Sequence, residues 1–527
     1  MNDYEIYKSI KMEDIKKVAA KLGLDEDDIT LYGKYKAKIE NKDLKKEGKL
    51  ILITSTNPTP YGEGKTTLAI GLSDVLNKNG YKTVLALREP SLGPVFGTKG
   101  GACGGGYSQV VPMDEINLHF TGDMHAITSA NNLISSVIDN HIYQGNELKI
   151  KEVYFERCLD LNDRALRDVE LKTRKDHFNI TAASEVMAVF SLATSLKDLE
   201  ERIGNILVGI NDKNEEIYVR DLKCEGAATA LLKEAFKPNL VQTIYHNPAI
   251  IHGGPFANIA HGCSSIISIK TALSLGDYVI TEAGFGSDMG AVKFFDIVCD
   301  NNNIYPNLVI VNSTIRSLKY NGEDSLEKGI ENLKYHILNM QKFSDNVLVI
   351  INRFKDDQDE DINYVKDYVK SLGCETLVSN IYFKGEDDDP AIADIVANLA
   401  NKEITKKYNI YNKEDDILTK IDKICKDIYY VNEIKYEEKA LLKLKSLSNK
   451  YNDYKICVSK TQYSITDDPK KLGFPKNNVI SIRDIKINNG AKFITVLTGK
   501  LIAMPGLSKK ANYLNIKVSG DEILGIF

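Results

Sequence analysis

The chain has 527 residues, a formal net charge of −5, 43% hydrophobic and 27% charged residues, the balance of an ordinary globular protein of more than one domain. Lysines and arginines are scattered, which excludes a nucleic-acid footprint, and no apolar run approaches the roughly 18 residues of a membrane span. The eight cysteines include no C-x-x-C pair, against a zinc cluster or disulfide framework. Free thiols and a cytoplasmic location are expected, and the charged start MNDYEIYKSIKMEDIKK is not of signal-peptide type.

Residues 4–23 have amphipathic helical spacing ending at Gly23, and 25–47 read as a charged connection. Lys49 to Thr56, KLILITST, is a β-branched apolar run of strand length. The stretch NPTPYGEGKTT follows, then a helical pattern from Leu68 to Lys78 and a second strand at 82–87. Strand, glycine turn, helix and strand predict one βαβ unit. Further apolar runs at 205–210, 277–280, 308–311, 346–351 and 375–378 alternate with helical segments at 183–202, 226–236, 324–342 and 360–372. That alternation predicts an α/β fold with a mainly parallel, doubly wound sheet of P-loop type in a large N-terminal domain. Composition shifts place boundaries near 332 and 430, giving domains 1–332, 333–429 and 430–527, the last two smaller α/β units.

The turn ends as a phosphate loop ends. Gly62 and Gly64 allow backbone N–H groups to approach phosphates, Lys65 reaches the β- and γ-phosphates, and the Thr66 hydroxyl suits Mg²⁺. Thr59 stands where the consensus has its first glycine. Asn57, Pro58 and Pro60 are expected to make that entrance turn, proline by presetting φ and asparagine by local hydrogen bonds. The plainer reading, a strand-to-helix turn with an exposed lysine, is disfavoured by the flanking strand and helix.

The second strand runs into REPSLGPVFGTKGGACGGGY, whose glycines are costly to order unless a ligand needs bare backbone. Arg88 stands at the carboxyl end of that strand, adjacent to the phosphate-loop strand, and suits two-point binding of a carboxylate or phosphate. Asp123 and His125 lie in a stretch whose spacing is poor for metal ligation. The TEAGFGSD segment, with Glu282 and Asp288, follows another strand, its carboxylates suited to Mg²⁺, a substrate amine or a helix cap.

NPTPYGEGKTT, REPSLGPVFG, KGGACGGGYSQVVPMDEINLHFTGD, HGGPFANIAHGCSS, TEAGFGSDMGAVKFFDI, IINRF, KTQYSITDDPKKLG and LTGKLIAMPGL together resemble the formate–tetrahydrofolate ligases, in one order from about residue 30 to the C-terminus. The resemblance implies ligation of formate to tetrahydrofolate N10 with ATP, through formyl phosphate. It implies ATP binding by Thr59, Pro60, Tyr61, Gly62, Glu63, Gly64, Lys65 and Thr66, with Mg²⁺ at Thr66. Lys65 and Arg88 are then the catalytic cations, and Glu89, Asp123 and His125 weaker candidates for the amine proton. It also implies activation by K⁺ or NH₄⁺ and a homotetramer. The family stacks the pteridine between a phenylalanine, here Phe354, and a tryptophan. This chain has no tryptophan, and Tyr382 occupies that position, followed by GEDDDP where a glycine-rich tract is usual. These departures put tetrahydrofolate affinity, or preference for its polyglutamylated form, in question. Tyr61 replaces a small residue, and 168–180 and 319–325 are trimmed. Another carboxylate-activating ligase, a nucleotide-switch ATPase and a non-catalytic folate binder are the competing classes.

Overall fold

The strand that precedes the glycine turn, β3 (Lys49–Ser55), is apolar at every inward position because both of its faces are covered. Leu50 and Leu52 pack into one hydrophobic cluster and Ile51 and Ile53 into the other. Such two-sided burial makes a central parallel strand read as a continuous apolar run. The computed structural model describes residues 2–40, 47–97, 102–447, 449–499 and 502–526.

Around β3 a twelve-stranded sheet is assembled. Its other strands are β1 (Ile29–Leu31), β2 (Ala37–Ile39), β4 (Thr83–Leu87), β5 (Gly104–Gly105), β6 (Ser108–Val111), β7 (Asn239–Thr243), β8 (Pro248–Ile251), β9 (Tyr278–Glu282), β10 (Leu308–Ser313), β11 (Val347–Asn352) and β12 (Glu375–Ser379). The main path runs β1-β2-β7-β8-β4-β9-β3-β10-β11-β12, with β5 and β6 paired beside β7. From β8 to β12 every neighbouring pair is parallel; the β1, β2, β7 side and the β5–β6 ribbon are antiparallel.

Three details depart from the expected order. β3 and β4 are not neighbours, because β9 lies between them and pairs with both. The connection through the helix α3 (Lys65–Lys78) skips one position, and a strand from some 200 residues later fills it. The first helical pattern is also broken. α1 (Asp3–Ser9) opens on an Asn2–Glu5 capping box and ends at Ile10, which is extended, and α2 (Ile15–Lys21) restarts at Asp14, whose carboxylate accepts from the Lys16 N–H. Two local caps outweigh a continuous apolar stripe. The 205–210 run likewise leaves the main sheet: residues Leu207–Asn211 pair with Ile150–Val153 and Glu216–Tyr218.

α4 (Ile266–Leu275), α5 (Ile315–Asn321) and α6 (Leu326–Phe343) cover the face opposite α3. The boundary expected at 332 falls inside α6, and the strands beyond it, β11 and β12, continue the large sheet through β10. A separate four-stranded sheet forms from β13 (Val431–Tyr436), β14 (Lys455–Ser459), β15 (Asn478–Asn488) and β16 (Phe493–Thr498), in the order β13-β15-β16-β14. No helix among the described residues is long and apolar enough to cross a membrane.

Candidate active site

Parallel strands point all their carboxyl ends to one edge of the sheet, and ligands of open α/β sheets bind there. Along that edge the strand order dictates the order of side chains. Tyr382 follows β12, Phe354 follows β11, and Thr314 and Arg316 follow β10. The glycine turn follows β3, Glu282 ends β9, and Arg88 follows β4.

The turn itself is built for its shape. Gly62 and Gly64 adopt φ of +79° and +64°, left-handed values that disfavour a side chain. A Cβ on Gly64 would also lie 2.6 Å from the Asn352 Nδ2. Gly64 caps α3, so Lys65 is the first residue of a fourteen-residue helix and lies at its partially positive end. The Lys65 Nζ donates to the carbonyls of Ala283 and Phe285, the latter at 3.1 Å. The Thr66 hydroxyl donates to Glu282 Oε2 at 3.0 Å, and Glu282 Oε1 stands 3.9 Å from an Arg88 Nη. The other Arg88 Nη donates to the Pro255 carbonyl at 3.2 Å, while its buried Nε has no hydrogen-bond partner among the described residues. Lys65, Thr66 and Arg88 therefore meet, and Glu282 joins them. The sequence flagged Glu282 only as one carboxylate of TEAGFGSD; its place between Thr66 and Arg88 follows from β9 entering between β3 and β4.

The entrance of the turn is held differently from the expectation. Asn57 is fully buried and bonds to distant residues, not local ones. Its N–H donates to His336 Nε2 at 3.1 Å, its Oδ1 accepts from Asn332 at 2.8 Å, and its carbonyl accepts from Asn321 at 3.1 Å. His336 in turn meets the Ser287 hydroxyl through Nδ1 at 2.7 Å, and burial lowers its pKa to about 4. The neutral ring meets Ser287 at Nδ1 and both the N–H and the Oδ1 of Asn57 at Nε2, the latter at 3.1 Å, and its tautomer sets which partner donates. Glu63 also turns inward. Its carboxylate accepts from the Thr59 N–H and hydroxyl and from the Thr314 hydroxyl, while its carbonyl accepts from Asn312 and Asn352. Glu63 and Thr59 thus clasp the loop to β10 and β11, with Thr59 replacing the usual glycine because its hydroxyl completes the clasp. Pro60 and Tyr61 face outward, Tyr61 being 81% exposed. The Arg316 guanidinium lies between the rings of Tyr61 and Phe354, 5.9 and 4.4 Å from their centroids.

The two expected stacking residues have separate settings. Phe354 is half-buried beside Arg316, its N–H bound to Asp357. Tyr382 is exposed on one side, its hydroxyl donating to Asp3 at 3.0 Å and its carbonyl accepting from the Tyr107 N–H. The weaker proton-acceptor candidates differ in setting. Asp123 is fully buried in an ion pair with Lys38 at 2.8 Å, and His125 is exposed on its helix. Glu89 is buried, its carboxyl pushed well above the usual range by burial, with Asp123 and Asp160 adding to the effect. Within the second glycine-rich region, Thr98–Gly101 lies outside the described residues. All eight cysteines are buried and free. No cluster of three or more His, Cys, Asp or Glu side chains with metal-holding geometry occurs among the described residues.

The whole chain, residues 1–527, matches the family model of formate–tetrahydrofolate ligase. A formate–tetrahydrofolate ligase of Campylobacter concisus (strain 13826) is 53% identical, the match covering 99% of this chain and 98% of the relative. One of Campylobacter curvus (strain 525.92) is 52% identical over the full length of both. With a family model spanning every residue and such relatives alongside it, this chain belongs to the formate–tetrahydrofolate ligase family, and is an enzyme of the ligase class.

Proposed function

We propose that this protein joins formate to N10 of tetrahydrofolate, converting ATP to ADP and phosphate through formyl phosphate. The observation that carries this reading is the convergence of Lys65, Thr66, Glu282 and Arg88 at one sheet edge, against the N-terminus of α3. The buried Nε of Arg88, without a hydrogen-bond partner among the described residues, adds to it, because an unpaired cationic donor costs free energy that an anionic ligand offsets. Family membership over the full chain supports the same substrates.

In this reading the turn from Thr59 to Thr66 is a phosphate loop. Its backbone N–H groups and the α3 N-terminus surround the ATP phosphates, and Lys65 exchanges the Ala283 and Phe285 carbonyls for the β- and γ-phosphates. Thr66 and Glu282 present oxygen atoms, the donor type Mg²⁺ prefers, and would hold the ion that accompanies ATP and supplies positive charge at the phosphate oxygens. Arg88 aligns the formate carboxylate with the γ-phosphorus. A formate oxygen attacks in line, the bond to ADP breaks, and formyl phosphate forms. N10 then attacks the formyl carbon, the carbon–oxygen bond to phosphate breaks, and the amine proton departs. Formate is a poor electrophile until its oxygen becomes part of a phosphate leaving group, so both steps depend on charge placement. Phe354 and Tyr382 supply aromatic faces for the pteridine at the β11–β12 end. Activation by K⁺ or NH₄⁺ and assembly as a homotetramer accompany this reading.

The test is product formation, read as the absorbing methenyl derivative after acidification, with each substrate omitted in turn. Product only when formate, Mg-ATP and tetrahydrofolate are all present is expected; no product from the complete mixture overturns the proposal. Oxygen-18 supplied in formate is expected in the released phosphate, and its absence would remove the formyl-phosphate step.

A further inference from the structure

Behind the glycine turn, a fully buried ion pair joins the C-terminal region to the sheet edge. Lys460, immediately after β14, places its Nζ 2.6 Å from Asp288 Oδ2, with side-chain exposures of 0% and 1%. The approach is off the hydrogen-bond direction of that oxygen, so the attraction is mainly between charges. Lys460 also donates to the carbonyls of Thr461 and Ser464, which shapes the segment that follows it. The other Asp288 oxygen accepts from Asn57 Nδ2 at 3.3 Å. Asn57 Nδ2 further reaches the Gln462 carbonyl at 3.4 Å, and Asn332, which holds Asn57 Oδ1, donates to the Gly473 carbonyl at 2.9 Å.

The same pair touches the other half of the lysine cradle. Asp288 and Ser287 directly follow Ala283–Gly286, the turn whose carbonyls hold Lys65. A Cβ on Gly286 would lie 2.5 Å from Asp288 Oδ1 and 3.1 Å from His336 Cε1, so this turn packs closely against both and has no room for a side chain. One buried charge pair therefore bears on both elements that fix the phosphate loop: its entrance at Asn57 and the carbonyls facing Lys65. Taking two charges out of water is costly, and a chain retains such a pair where it specifies geometry more readily than where it adds stability.

We propose that Lys460 and Asp288 are positioning residues for nucleotide binding, and that the C-terminal segment from Lys460 to Gly473 is an integral support of the phosphate loop. This inference rests on the reading of the turn as the ATP site. Lys460→Met, which leaves the Asp288 charge unpaired, is expected to raise KM for ATP about tenfold or more while KM for tetrahydrofolate stays within about twofold, a displacement effect on the loop alone. The double variant K460M/D288N removes both charges and keeps an oxygen for Asn57, and is expected to recover most of the ATP affinity. A lowered melting temperature with an unchanged KM for ATP in the folded enzyme would overturn the proposal. So would an equal rise in KM for all three substrates.

A measurement on the unmodified enzyme covers the case in which both variants fail to fold. A non-hydrolysable Mg-ATP analogue is expected to slow amide hydrogen exchange in peptides spanning 460–473, and unchanged exchange there overturns the proposal. If the unmodified enzyme proved indifferent to ATP in the omission assay, the ATP reading itself would fail. A positioning failure instead leaves ATP dependence intact and shows only in the variants and the exchange.

Discussion

The two halves of the sheet edge are constructed on opposite principles. On the β3–β9–β4 side, the glycine turn with Lys65 and Arg88 is set in a web of buried polar groups, with Asn57 and Glu63 each bonded to several distant residues. On the β11–β12 side, Phe354 and Tyr382 are partly exposed, one beside the Arg316 guanidinium and the other bonded to the Asp3 carboxylate. Phosphoryl transfer gains from charges fixed in advance within fractions of an ångström. An aromatic face for a flat ring tolerates more variation, because stacking is broad in geometry.

The sharpest way to break the comparison is at the cations. Lys65→Ala and Arg88→Ala are each expected to lower kcat by about 10²–10³-fold, the cost of removing one preorganised charge-stabilising donor. Initial rates at saturating substrates read this directly, and a loss below tenfold would mean that the charges here are not preorganised.

Asp74, buried in the middle of α3, tests whether the helix carrying the loop stores unfavourable burial. Its carboxylate accepts from Thr243 and Asn247, yet burial raises its pKa to about 8 from 3.8. A carboxyl raised on folding contributes most below the unfolded value, and that contribution is lost as pH climbs from about 4 to about 8, at roughly 1.4 kcal/mol per unit. Asp74→Asn keeps the accepting oxygen and escapes this penalty. The variant is expected to gain stability over the parent progressively between pH 5 and pH 8, as followed by urea denaturation at each pH. A stability difference that stays flat across that range would contradict it.

Glu63→Ala comes next. It strands the Thr59 and Thr314 hydroxyls in the interior, so about 1–3 kcal/mol of stability should go, together with a raised KM for ATP. Unchanged ATP kinetics would show that Glu63 serves the fold and not the loop.

The smallest effect belongs to the other side. Tyr382→Ala is expected to raise KM for tetrahydrofolate by an amount corresponding to about 0.5–1.5 kcal/mol, with KM for ATP unmoved. Tyr382→Phe, which loses only the bond to Asp3, should leave both near the parent values. A parallel rise for ATP and tetrahydrofolate in Tyr382→Ala would dissolve the distinction between the two halves.

Much of the phosphate side was legible from local pattern. An apolar strand, two glycines, a lysine and a threonine opening a helix carry their own geometry, and Gly62 and Gly64 do adopt the left-handed conformation with Lys65 at the helix start. Long-range partners were not legible. Asn57 reads as a turn former, but its bonds run to residues 321, 332 and 336. Glu63 reads as a loop residue open to ligand, and is a clasp because Thr314 and Asn312 arrive at the end of β10. The helix expected over 4–23 divides for the opposite reason, since the caps at Asn2 and Asp14 are local signals present in the sequence and outweigh its periodicity.

The sequence by itself determined the α/β class, the glycine turn and the identity of its lysine, threonine and arginine, because these depend on backbone freedom and side-chain chemistry within a few residues. Only the tertiary structure decided that β9 enters between β3 and β4. Strand order is set by how helices pack on a shared sheet, and no local pattern encodes it. That insertion carries Glu282 to a place between Thr66 and Arg88, and brings Asp288 and Lys460 behind the loop.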